Sequence, residues 1–153
     1  MNYVINILTA EQFSKHLQTS DVWHGYVQTP AGVMLVKATD LGIYFIEFVD
    51  SQDVPNITQI QSNKLLLVGT DFQIKVWQAA LSIPSGQTRS YHDLAIEIGH
   101  PRAYRAVANA LGANHIAYYV PCHRILRKGG ALGGFKWGMD RKIALLASEG
   151  VFV

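Results

Sequence analysis

The apolar pattern changes its period once along this chain, and that change limits the fold more than any other feature. Before about residue 69, short apolar runs alternate with turn residues, as strands do. After it, apolar residues recur every three or four positions, as in helices that bury one face. The sequence therefore predicts two units: a small α/β structural domain over residues 1–68 and a mostly helical domain over residues 69–153. Charge changes at the same place. Residues 1–69 carry three Lys or Arg against six Asp or Glu, whereas residues 70–153 carry ten against five. A basic second half fits a polyanion such as nucleic acid, and by itself fits a solvated surface as well.

Composition narrows the setting. With 49% hydrophobic and 16% charged residues, the chain can bury a real core. No apolar run is long enough to span a membrane, and the N-terminus lacks a secretory pattern. The single cysteine can form neither an intrachain disulfide nor a cysteine-based metal site, which points to a reducing compartment. The six histidines show no zinc-ligand spacing, so no metal is expected.

In the first half, Thr9 to Gln12 reads as a capping box that opens a short helix with Phe13 and Leu17 on one face. Strands are predicted over residues 24–29, 33–38 and 43–49, with turns at 30–32 and 39–42, giving an antiparallel meander. Residues 50–63 read as a loop, and residues 64–68 as an apolar stretch of either type. No chemically pointed group stands here, so the expected role is structural.

In the second half, Thr70 to Gln73 reads as another capping box. It leads a helix whose Phe72, Val76, Trp77, Ala80 and Leu81 share a face. Ser90 caps a helix over residues 91–98, with Asp93 in its first turn, and Gly99 ends it. Pro101 suits the first position of a helix over residues 101–111, which carries Arg102, Ala103, Arg105 and Ala106. The pair matches a helix-turn-helix, although short helix pairs also simply pack. Small side chains let such a helix sit deep in a groove, with few groups able to read base edges. Residues 116–120 read as a buried strand or extended segment. Asp140 caps a last helix over residues 141–149 with Ile143, Leu145 and Leu146 inward, and Gly150 stops it. Glu149 then meets the negative end of the helix dipole, so it is either exposed or held by a partner such as a histidine.

The chemistry gathers at Val120-Pro121-Cys122-His123-Arg124, between that apolar run and the glycine-rich stretch 129–134. A lone cysteine is often an inert buried side chain. Here a proline stiffens the backbone before it and a histidine follows. A relay from Cys122 through water to His123, oriented by Glu149, would supply a thiolate.

Several motifs fall in one order: Gly69-Thr70-x-Phe72, Val76-Trp77-x-Ala79, Ile83-Pro84-x-Gly86-x-Thr88-x-Ser90-Tyr91, Arg105-Ala106-Val107, Asn114, Pro121-Cys122-His123-Arg124 and Glu149-Gly150. Over residues 69–150 this order closely resembles the O6-alkylguanine-DNA alkyltransferases, the methylated-DNA–protein-cysteine methyltransferases. The first 69 residues match only loosely. The resemblance implies an N-terminal ribonuclease-H-like domain with an antiparallel sheet, then a mostly helical domain with a winged helix-turn-helix. It implies a single-turnover, direct-reversal repair protein that moves the alkyl group of O6-alkylguanine, and in some cases O4-alkylthymine, onto Cys122.

The same resemblance implies roles for individual residues. His123 is the base through water, Glu149 orients it, and Asn114 steadies the turn beneath the site. Tyr91 lies near the guanine and a phosphate. Arg105 is the arginine finger that fills the gap left by the flipped nucleotide, on a helix whose Arg102, Ala103 and Ala106 approach the minor groove. Val120, Pro121, Gly134, Phe135 and Lys136 line the base pocket. A tyrosine often stands in the place of Phe135, so O6 stabilisation rests more on Tyr91 and backbone N–H groups. Arg124 anchors the segment. Lys142 is either near the site or a solvated helix lysine. The implied partner is double-stranded DNA carrying the lesion, met by a cytoplasmic monomer without cofactor, metal, membrane or obligate protein partner. Related non-catalytic sensors of alkylated bases replace the cysteine, which is retained here.

Overall fold

The computed structural model describes residues 2–50, 54 and 62–153. The chain divides into two compact units, Met1–Thr70 and Asp71–Val153.

The first unit is a five-stranded mixed sheet in the order β1-β5-β4-β3-β2. Its elements are β1 (Val4–Leu8), α1 (Ala10–Thr19), β2 (Trp23–Thr29), β3 (Gly32–Thr39), β4 (Gly42–Val49) and β5 (Lys64–Val68). The antiparallel meander is β2-β3-β4. Its two turns repeat one local device. The hydroxyls of Thr29 and Thr39 accept from the N–H of Ala31 and Leu41, both at 3.2 Å, and a glycine of positive φ starts the next strand. At Gly42 no other residue fits, because a Cβ would lie 2.6 Å from the Lys64 backbone. The helix α1 carries the capping box at Thr9.

Two strands go beyond the sequence reading, one deciding an open choice and one unforeseen. The stretch 64–68 is β5, parallel to both β1 and β4. Leu65, Leu66 and Leu67 are all buried, so no alternation marked it as a strand. Residues 4–8, given no element by the sequence, form β1. The sheet is therefore mixed rather than purely antiparallel. The loop expected over residues 50–63 falls largely outside the described residues.

The second unit contains α2 (Asp71–Leu81), β6 (Arg89–Ser90), α3 (Tyr91–Glu97), α4 (Tyr104–Gly112), a 3₁₀ turn (Cys122–Arg124), β7 (Ile125–Leu126) and α5 (Met139–Ser148). The helix α2 buries Ile74, Val76, Trp77 and Ala80, and the Trp77 indole N–H donates to the Ala110 carbonyl at 2.8 Å, tying α2 to α4. Ser90 caps α3 through a reciprocal box with Asp93. The strands β6 and β7 pair in parallel. Beyond β7 the chain turns back, with Arg127 N–H donating to Ala131 O at 2.8 Å. Together α3, the turn and α4 make a helix-turn-helix with this small ribbon beside it.

Three local predictions are corrected. The second helix of the pair starts at Tyr104 rather than Pro101, because Pro101 occupies a β-turn closed by Ala103 N–H to His100 O at 2.9 Å. Residues 116–120 are not a strand. They form a turn in which Val120 N–H donates to Ile116 O at 3.0 Å and Tyr118 takes φ 77°. The last helix spans Met139–Ser148 without a side-chain cap, with Asp140 in its first turn, complementing the dipole. Its C-terminus is closed by Gly150 at φ 81°, with Val151 N–H donating to Leu146 O and Gly150 N–H to Ala147 O. That double closure fixes Glu149 at the helix cap. Ile143 is 38% exposed, so the inward stripe of α5 is Lys142, Leu145 and Leu146.

Candidate active site

Cys122 begins the 3₁₀ turn, and Pro121 sets its direction. At φ −80° and ψ 63°, Pro121 is the centre of an inverse γ-turn in which Cys122 N–H donates to Val120 O at 2.8 Å. Arg124 N–H then donates to Pro121 O at 3.0 Å. Asn114 braces this corner from below. Its Oδ1 accepts from Ile116 N–H at 2.9 Å, its Nδ2 donates to Val120 O at 3.4 Å, and its side chain also bonds the cysteine sulfur. Asn114 is buried, so its amide serves the fold and the sulfur at once.

His123 follows on the same turn and is 1% exposed. Its Nε2–H donates to Glu149 Oε1 at 2.9 Å. That bond fixes the tautomer and leaves the lone pair on Nδ1, a buried atom with no hydrogen-bond partner among the described residues. Arg124 grips the same carboxylate with two N–H groups, Nε to Oε2 at 2.9 Å and Nη2 to Oε1 at 2.7 Å, while its Nη1 donates to Ile83 O at 2.6 Å. Such a planar fork holds a carboxylate in one orientation. Arg124 therefore joins the chain just beyond α2 to the cap of α5, with Glu149 pinned between arginine and histidine.

The electrostatics describe a site whose thiol and imidazole are both neutral. Burial pushes the Cys122 thiol up to about 11, although Asn114 and Lys142 pull the other way. Burial pushes His123 down, outweighing the carboxylate that favours its cation. Burial alone would raise Glu149, but the hydrogen bonds and charges of Arg124 and His123 hold it below the usual carboxylate value. The thiol thus keeps its proton, and the imidazole of the next residue is neutral with a free lone pair, backed by an ionised carboxylate.

Lys142 is wholly buried and faces no carboxylate among the described residues. Its ammonium donates to three carbonyls, Ile125 at 2.7 Å, Leu132 at 2.5 Å and Gly134 at 3.1 Å. It therefore staples the glycine-rich loop to β7, and burial brings its pKa down to about 8. The loop passes close to Tyr91, where a Cβ on Gly133 would sit 2.8 Å from the phenol oxygen. The Gly134 N–H donates to that oxygen, and burial raises the phenol's pKa, so it keeps its proton.

These parts surround a pocket of about 340 Å³ lined by Tyr91, Ala108, Leu111, Gly112, Cys122, Gly134, Phe135 and Lys136. Beside it lies a larger open groove, of about 770 Å³, which includes Arg105, Arg127 and Lys128. Among the described residues no group of three His, Cys, Asp or Glu could hold a metal ion, and no helix is long and apolar enough to cross a membrane.

Comparison with known proteins places this geometry. A family model described as the 6-O-methylguanine DNA methyltransferase, DNA binding domain, matches residues 71–151. The chain belongs to the 6-O-methylguanine DNA methyltransferase family. It is 56% identical over 81 residues to the regulatory protein ada of Salmonella typhimurium, covering 53% of this chain and 23% of that one. It is 54% identical over 85 residues to the probable methylated-DNA–protein-cysteine methyltransferase of Acanthamoeba polyphaga mimivirus, covering 56% of each. These two matches thus span between about a quarter and just over half of the relatives' own length. The crystal structure of Mycobacterium tuberculosis OGT in complex with DNA matches over 83% of this chain and 92% of that one, with TM-score 0.70 and 32% identity. The sheet unit followed by a helical unit with a helix-turn-helix is the fold of this family.

Within that family fold, the sequence-predicted residues separate into four groups. Cys122, His123, Glu149 and Asn114 converge on one cluster, and Tyr91, Gly134, Phe135 and Lys136 line the pocket with the cysteine. Arg105 and Ala106 are exposed on α4, whereas Arg102 lies in the preceding turn and Ala103 is the helix N-cap. Val120 and Pro121 are buried and do not line the pocket, whose wall there is Ala108, Leu111 and Gly112 on α4. Of the two readings of Lys142, the solvated one is overturned by its complete burial. The sequence reading missed the grip of Arg124 on Glu149, because 25 residues separate them and no local pattern joins them.

Proposed function

We propose that this chain repairs double-stranded DNA by direct reversal, taking the alkyl group of O6-alkylguanine onto Cys122 in a single irreversible turnover. The supporting observation is the cysteine's setting: Cys122 lies in the pocket wall, and its sequence neighbour His123 has its tautomer fixed by Glu149. The lesion base swings out of the duplex into this pocket, at a cost of a few kcal/mol. The thiol proton passes by way of one water to Nδ1 of His123, and the sulfur attacks the alkyl carbon. The new C–S bond replaces the C–O6 bond. Guanine departs as an oxyanion that the Tyr91 phenol stabilises by donating a hydrogen bond, and it takes up the proton released from the thiol. The raised phenol pKa suits this donor role. Because a thioether does not hydrolyse here, the protein is spent.

Binding follows from the groove. Arg105, Arg127 and Lys128 face it together and suit phosphate contacts that fix position more than sequence. Arg105, on the exposed side of α4, fills the space left by the flipped nucleotide. O4-alkylthymine presents a similar carbon to the sulfur and is a second substrate class. A cytoplasmic, monomeric protein acting on DNA fits the reduced thiol. Cys122→Ala tests the reading: the variant binds a lesion duplex but receives no label from tritiated methyl DNA, and label transfer to it would contradict the role of Cys122.

A further inference from the structure

Tyr104 stands apart from the other exposed residues of α4. The helix otherwise shows Arg105, Ala106, Asn109 and Gly112 to the outside, yet it opens with a tyrosine left 40% exposed. Two contacts hold the ring. The His92 ring of α3 lies 5.3 Å away at an angle of 56°, and the Arg105 guanidinium carbon lies over the ring at 5.9 Å. Consecutive residues on a helix do not face each other by default. The Arg105 side chain therefore folds back over the first turn of α4 instead of extending away. All three side chains line the same groove as Arg127 and Lys128.

We propose that Tyr104 is a positioning residue for Arg105: a ring backed by His92 that carries the guanidinium and presents it to duplex DNA ready to fill the space of an extruded nucleotide. The proposal rests on the repair function argued above. A long arginine side chain loses rotamer freedom when it docks, and one already laid on a ring has less to lose. The ring face also attracts the cation directly.

The test is single-turnover methyl transfer from two substrates, a duplex and a single strand carrying the same O6-methylguanine. Tyr104→Ala transfers about three- to fivefold more slowly from the duplex, the size of an exposed cation–ring contact. It matches the unsubstituted chain on the single strand, which has no gap to fill. Tyr104→Phe keeps the ring and restores the duplex rate. Tyr104→Ala combined with Arg105→Ala is no slower than Arg105→Ala alone, because the tyrosine acts through the arginine. An unchanged duplex rate, an equal loss on both substrates, no rescue by phenylalanine, or additive losses would each overturn the proposal. Failure of the unsubstituted chain to take methyl from the duplex would instead overturn the repair reading, and this inference with it.

Discussion

Replacing Glu149 with glutamine keeps the side chain's size but removes a charge from a point where three N–H groups converge. These are His123 Nε2 at 2.9 Å and Arg124 Nε and Nη2 at 2.9 and 2.7 Å. An amide offers one acceptor oxygen and a donor NH₂ where the carboxylate offered two acceptors, so a donor must meet a donor. Breaking a fully buried ion pair costs about 3–5 kcal/mol. The Arg124 and Glu149 side chains keep 16% and 12% of their exposure, which reduces the loss to about 2–3 kcal/mol. For a unit of this size that corresponds to a fall in Tm of roughly 10–20 °C. Chemistry suffers as well. An amide can turn either its oxygen or its NH₂ to the ring, so it no longer fixes the His123 tautomer, and burial lowers the ring's basicity without a carboxylate to oppose it. The thiol then loses its acceptor, and transfer slows by about 10²–10⁴-fold. The pH dependence has a definite sign. The folded-state pKa of Glu149 is depressed, so its contribution is present above the ordinary carboxylate value and is lost as pH falls through the folded one. The variant lacks that acid-side loss. Single-turnover transfer and thermal melts from pH 7 downwards measure both effects. A Glu149→Gln protein with unchanged transfer rate and unchanged acid sensitivity would refute the reasoning.

Lys142→Met leaves the carbonyls of Ile125, Leu132 and Gly134 without their shared donor. The expected loss is about 3 kcal/mol in a chemical melt, after allowing for the ammonium no longer buried, and an unchanged midpoint would contradict the stapling role. Lys142→Arg does not restore stability, since a planar fork cannot replace a compact three-donor head. Alkylation of the free protein by iodoacetamide stays slow near neutrality and climbs towards pH 11, because burial holds the thiol protonated. A plateau already reached by pH 8 would mean that the thiolate forms without substrate.

Features set by neighbouring residues were legible in the sequence. The capping box at Thr9 and the cap at Ser90 need only a side chain three residues from a backbone N–H, and the structure shows both, with Asp93 completing a box at Ser90. Pro101 suits a helix start and a β-turn equally, and only the His100–Ala103 hydrogen bond decides between them. The apolar run 116–120 reads as a strand or extended segment. It is folded instead by the Asn114 side chain and by the left-handed backbone of Tyr118, which apolar pattern does not report. On α5 the inward stripe is Lys142, Leu145 and Leu146, with Glu149 one further turn along at the cap. The spacing contained this answer, but a lysine in the first place reads as a solvated residue as readily as one near the site. The Cys122–His123 step was visible because the two residues are adjacent. The Arg124 grip on Glu149 and the three carbonyls around Lys142 depend on chain segments brought together only by folding.

The central claim is that one sulfur takes one carbon and keeps it. Intact mass spectrometry of the protein after incubation with excess duplex bearing a single O6-methylguanine addresses it directly. The account predicts a gain of about 14 Da on every molecule, located on the peptide containing Cys122, with one lesion repaired per protein. An unchanged mass, or more lesions repaired than protein molecules present, would contradict it.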